Sequence, residues 1–192
     1  MTAPDPARHF LVRPGAPFTE ALDLPGWEDY SIWGYDDPLG SFFAQLWRND
    51  SGGPDEPQVA INGFDRRLPW PQTLAVHIRY HTKTDPAAVV AALGIADPDP
   101  HLRPPSALRT GLSEHPDNRP FAEGWRYALH WLLGTVDEAP GSRVKAHPFT
   151  GDPHRAAAES AFASGRCYMT VEREWYAGAD TALAWALRRA ED

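Results

Sequence analysis

The chain has 192 residues and a formal net charge of −8, with 42% hydrophobic and 23% charged residues, the balance of an ordinary globular protein rather than a disordered one. That length allows one domain, or two small halves, with an interior large enough for a core. The acidic balance argues against bulk nucleic-acid binding, no apolar run reaches the ~18–20 residues of a membrane span, and the single Cys167 excludes an internal disulfide framework or a cysteine zinc cluster.

Residues 1–25 read as an extended, proline-interrupted arm with apolar anchors at Phe10, Leu11, Phe18, Leu22 and Leu24. Its start lacks the basic-then-apolar order of a signal peptide, so the cytoplasm is the expected compartment. Aromatic and β-branched residues fill 30–35, and Asp36-Asp37-Pro38-Leu39-Gly40 supplies turn chemistry. Residues 41–48 are apolar on both faces, with Phe42, Ala44 and Leu46 on one and Phe43 and Trp47 on the other. Together they predict a β-hairpin whose second strand is central in its sheet. Residues 58–62 fit a third short strand.

Residues 74–82 alternate cleanly: Leu74, Val76, Ile78 and Tyr80 against Ala75, His77, Arg79 and His81. Period-2 alternation predicts a strand. Asp85-Pro86 then has the form of a helix start, Asp as N-cap and Pro at the first helical position, and Gly94 is the stop. Residues 96–120 contain six prolines and read as a connector. At 125–133 the alternation of Trp125, Tyr127, Leu129, Trp131 and Leu133 competes with a helical face of Phe121, Trp125, Leu129 and Leu132; aromatic content tips the reading toward strand. Residues 137–142 read as a turn, 143–147 as its partner strand, and Asp152-Pro153 as the start of a helix over 153–163. A further strand is predicted over 166–176, with Cys167, Met169, Val171 and Trp175 on one face. Asp180 would cap a last helix over 181–190.

The expected fold is therefore α+β, a largely antiparallel sheet with helices packed on one face. A tandem duplication of a strand-to-helix unit is one reading, with half-repeats 26–95 and 121–192. Val76 precedes Asp85 by nine residues, as Val171 precedes Asp180. Coincidence explains the same matches, because strand followed by Asp-capped helix is common local grammar.

Strong catalytic motifs are absent: no glycine-rich phosphate loop, no G-x-S-x-G elbow, no H-E-x-x-H. The best constellation is His77, Arg79 and His81 on one strand face. With Glu172 and Glu174 on an adjacent strand, imidazoles and carboxylates could share a site for acid–base or metal-assisted work. The simpler reading is a solvated sheet face carrying ion pairs of small value. The histidines and aspartates of the loops (Asp99, His101, His115, Asp117, His147, Asp152, His154) resemble loose ligand spacing, but next to proline Asp is first a turn or cap residue. Neither a metal site nor a cofactor is assigned. Cys167 reads as a buried structural thiol.

For binding, Trp27, Arg66, Arg67 and Trp70 stand out as loop tryptophans and arginines, the types enriched at interface hot spots. The blander account pins the 64–71 loop to the core through Phe64 and Trp70. The expected function is a protein-binding module acting by contact, as an inhibitor, immunity-type or accessory protein, with a basic protein target suiting its charge. The alternatives are a small hydrolase-like enzyme using the His/Glu cluster, and a small-molecule binder with an aromatic cleft between the halves. No membrane or nucleic-acid partner is expected. The bias of 16 Arg over 2 Lys points to a GC-rich genome rather than to a function.

Overall fold

A computed structural model describes residues 17–50, 56–97, 99–117, 119–145 and 149–187. The chain divides into two compact units, residues 1–95 and 96–192. The fold is α+β. The first unit holds a four-stranded antiparallel sheet in the order β1 (Phe18–Ala21), β2 (Ile32–Asp36), β3 (Ser41–Leu46), β4 (Val59–Ile61), followed by α1 (Pro71–Thr82) and α2 (Pro86–Ala92). The second holds α3 (Pro105–Gly111), α4 (Pro120–Leu132), α5 (Pro153–Cys167) and α6 (Arg173–Leu187). Among the described residues no helix is long and apolar enough to cross a membrane.

The predicted hairpin is present. Asp36 Oδ1 accepts the Leu39 N–H at 3.1 Å, and Gly40 takes a left-handed φ of 57° that favours glycine, so the turn residues do what their chemistry predicts. Register pairs Trp33 with Ala44 and Tyr35 with Phe42. β3 lies between β2 and β4, the central place that its two apolar faces required. On the inner face Trp33, Phe42, Ala44, Leu46 and Ile61 are buried. There Trp33 stacks on Phe42 with centroids 6.3 Å apart, and Phe18 meets Trp33 edge-on. Residues 17–25, read as part of an arm, include β1; residues 1–16 lie outside the described residues.

The strand expected over 74–82 is helix α1, which packs on β3 and β4. Leu74 and Ile78 recur at i, i+4 and are buried with Ala75 and Val76, whereas Tyr80, grouped inward by the alternation, is 67% exposed. The period-2 pattern arises because this helix is buried over much of its circumference, so apolar residues occupy more than a single helical stripe. Pro71 sits at the first helical position, and Lys83 closes the helix in the left-handed region with its N–H on the Arg79 carbonyl. α2 follows its prediction, with Asp85 accepting the N–H groups of Ala87 and Ala88 at 2.9 and 3.2 Å.

The second unit overturns two further strands. Residues 125–133 fall in α4 and its C-terminal turn, with Trp125, Ala128, Leu129 and Leu132 forming the buried face at i, i+3, i+4, i+7. Residues 166–176 are the end of α5, a turn and the start of α6. Val171, inward by the alternation, is fully exposed, and Tyr176, outward by it, is buried. Asp180 lies inside α6 and accepts the Ser160 hydroxyl at 2.6 Å instead of capping. The hairpin partner expected at 143–147 is reduced to an isolated bridge between Glu138 and Lys145, and residues 146–148 lie outside the described residues. The 96–120 stretch belongs to the second unit and contains α3. The duplication gains no support, since the segments compared as strands are α1 and the α5–α6 turn.

α4 and α6 touch through glycines. A Cβ at Gly124 would run into the Trp175 carbonyl oxygen, and one at Gly178 into that of Phe121. Alanine gains about 1 kcal/mol over glycine in a helix interior, while forced overpacking costs about 1–3 kcal/mol. Gly178→Ala is therefore expected to lower Tm in thermal unfolding; an unchanged or raised Tm contradicts the close approach.

Candidate functional site

Helix geometry redistributes the predicted constellation. On α1 His77 and His81 are four apart and share one side of the helix, while Arg79 points elsewhere. Burial lowers the His77 pKa, and Arg66 and His81 push it the same way. Its Nε2 is buried and meets no hydrogen-bonding partner among the described residues, which suits a neutral ring. Glu172 and Glu174 belong to the other unit, in the turn before α6 and in its first helical turn. The adjacent strands that were to join them to the histidines do not exist. Among the described residues no group of three or more His, Cys, Asp or Glu is placed to hold a metal. Asp152 caps α5, Asp99 pairs with His101 at 3.4 Å, and His115 packs edge-on against Trp125; His147 lies outside the described residues. Cys167 donates to the Ala163 carbonyl, and burial pushes its thiol up to about 12, far from a thiolate at neutral pH.

Glu172 has a structural role that the sequence hides. It lies 3.5 Å from Arg143, whose Nε donates to the Tyr176 hydroxyl at 3.0 Å and whose guanidinium lies over Trp175 at 4.6 Å. Arg143 has a φ of 55°, a strained region for a residue with a side chain. These partners on and beside α6 hold it there. Beside it, fully buried Glu159 accepts the Gly141 and Ser142 N–H groups at 3.0 and 2.8 Å and the Ser142 hydroxyl at 2.5 Å. Arg143 and Glu159 together pin the 139–145 loop.

The predicted binding residues lie in the first unit. Trp27 packs under Arg48, whose guanidinium is 5.6 Å from its ring, and both line an open depression of about 470 Å³ with Thr82, Thr84 and Asp85. Asp85 there is committed to capping α2. A small-molecule site normally buries most of its ligand, and this depression is too open to do so. Arg66 and Arg67 are exposed, and Arg67 Nε donates to the Gly40 carbonyl at 3.1 Å. Trp70 is the N-cap residue of α1. The loop is anchored by Leu68, 2% exposed, through its N–H on Ser41 Oγ and its carbonyl on the Phe42 N–H. Phe64, expected to anchor it, is 82% exposed.

Phe64 leads to a surface that sequence reasoning does not assemble. Side chains alternate along β3, so the row opposite the core points outward. Register sets Gly34 beside Phe43, and Ile32, Gln45 and Ala60 in one row. The Phe43 ring lies over Gly34, where a Cβ would meet it at 2.9 Å. Asn62 Oδ1 accepts the Phe64 N–H at 3.0 Å and fixes the loop that carries the exposed ring. Ala21, Ala60 and Phe64 are exposed, and Ile32, Leu39 and Phe43 are partly so. Two depressions meet at Phe43 and Asp36, one on this side and one at the end of the β2–β3 hairpin. The signal is present in the two-sided apolar pattern of residues 41–48.

Comparison with protein-family models, with curated proteins and with solved structures finds no match.

The buried carboxyl gives a pH prediction. Burial raises the Glu159 pKa despite its three donors. A folded value above the unfolded one means that folding is favoured by protonation. The penalty from ionising Glu159 is absent at low pH and grows as pH rises through the unfolded value toward the folded one. Glu159→Gln keeps an acceptor for both N–H groups and offers an amide donor to Ser142 Oγ. It is expected to gain stability relative to the parent between pH 5 and pH 8. Glu159→Ala leaves buried donors unpaired, at about 1–3 kcal/mol each. Thermal unfolding of the three proteins at both pH values decides; a Gln variant that loses ground at pH 8 contradicts the assignment.

Proposed function

We propose that this protein acts by contact, binding another protein through the outer face of its sheet. The observation that carries the reading is the exposure of Phe64 beside a partly exposed Phe43, on the side of the sheet opposite the buried row. A folded domain that shows aromatic and aliphatic side chains together on one rigid face has the character of an interaction surface. An acidic chain suits a basic target by electrostatic steering.

A photo-crosslinking amino acid placed at Phe64, and as a control at exposed Glu123, tests this in cells of the native host. The expected result is a discrete protein adduct from position 64 alone, abolished by Ala60→Glu or Phe43→Ser, since removing a central aromatic anchor costs about 2 kcal/mol or more, roughly thirtyfold in affinity. Ala60 is exposed, so its substitution leaves the core untouched. Equal labelling from both positions, or an adduct indifferent to both substitutions, contradicts the reading.

A further inference from the structure

Two depressions that adjoin at Phe43, one on the outer face and one at the hairpin end, differ in chemistry. One, of about 220 Å³, brings the apolar Leu39, Phe43, Ala60 and Phe64 together with the polar Asp36, Gln45 and Asn62 at its edge. The other, of about 410 Å³, wraps the end of the β2–β3 hairpin and sets Phe43 beside Asp37 and Asp36, whose Oδ1 also accepts the Leu39 N–H; Phe18 and Tyr35, which border it, turn their rings to the inner row against Phe42. An aromatic ring beside two carboxylates suits an ammonium or guanidinium group, because ring faces and anions both attract a cation. Arg67, the arginine bonded to the β2–β3 turn, lines neither depression. Both share Phe43 and Asp36, so they adjoin and one short segment reaches both.

Resting on the contact reading above, we propose that the partner segment seated here is extended and basic: one apolar side chain enters the Leu39–Phe64 depression and a lysine or arginine on an alternate position enters the Asp36–Asp37 depression. Alternate residues of an extended segment point to one face, so the two groups arrive together. The cation supplies selectivity and the apolar group most of the affinity.

Two short synthetic peptides with identical apolar residues, one bearing lysines and one bearing glutamates at alternate positions, test the proposal by calorimetric titration of the full chain. The lysine peptide is expected to bind about tenfold or more tightly than the glutamate peptide at low salt, with the gap closing as ionic strength rises. Replacing both carboxylates (Asp36→Asn with Asp37→Asn) should remove the discrimination while leaving apolar binding, since an asparagine side-chain oxygen can still accept the Leu39 N–H. Phe43→Ser should weaken both peptides. Equal binding of the two peptides to the parent overturns the cation preference and leaves the contact reading standing. Binding of neither overturns the short-segment mode, while the crosslink from position 64 still reports separately on contact itself. A concentration-dependent dimer in sedimentation that Ala60→Glu dissociates overturns the proposal in favour of a second copy as the occupant.

Discussion

Strand β3 carries the constraint on which the first unit depends. It lies between β2 and β4, so both its hydrogen-bonding edges are used, and its side chains must alternate between faces. Phe42, Ala44 and Leu46 take the inner row and are sealed from solvent. A one-residue slip would exchange the rows, so the stacking of Trp33 on Phe42 fixes the register, and the register in turn sets Phe43 outward over Gly34. Core and candidate surface are two consequences of one alternation. That coupling explains why an acidic chain retains an apolar row on the open side of its sheet.

Local grammar is legible wherever a single residue type decides a local geometry. The turn at Asp36–Gly40 and the Asp-Pro starts of α2 and α5 can be read directly, because Asp accepts backbone N–H groups and proline removes a donor that a helix start does not need. Periodicity misleads wherever burial surrounds a helix. α1 is buried along nearly its whole first two turns, so apolar residues fill more than one stripe of it and fall between His77, Arg79 and His81 as they would in a strand. In α4 the aromatic content suggests a strand, but Trp125 and Leu129 are placed by packing against other helices, which overrides intrinsic preference. At 166–176 a helix end, a turn and a helix start together imitate one strand.

The candidate site is legible only in part, for the same reason. Joining His77 and His81 to Glu172 and Glu174 assumes a sheet that their segments do not form. Trp27, Arg66, Arg67 and Trp70 stand out by type, yet the structure gives Trp27 a cation–π neighbour, Arg67 a turn carbonyl and Trp70 a helix start. Phe64, which reads in sequence as an anchor, is the exposed ring. Its position follows from an asparagine turn and from Leu68 taking the anchoring place beside Ser41, a long-range relation with no local trace. The Glu159 and Arg143 pins are invisible in sequence because their partners are distant in the chain, Ser142 by 17 residues and Tyr176 by 33.

The central claim is that contact occurs on the outer face of the sheet. Chemical-shift mapping of the isotope-labelled full chain, titrated with the partner recovered by crosslinking, tests it most directly. The account predicts that the perturbed amides cluster at Ile32, Gly34, Phe43, Gln45, Ala60 and Phe64, with α4 and α6 unmoved. Perturbations centred instead on α4 and α6, or on the Trp27–Arg48 depression, would contradict it.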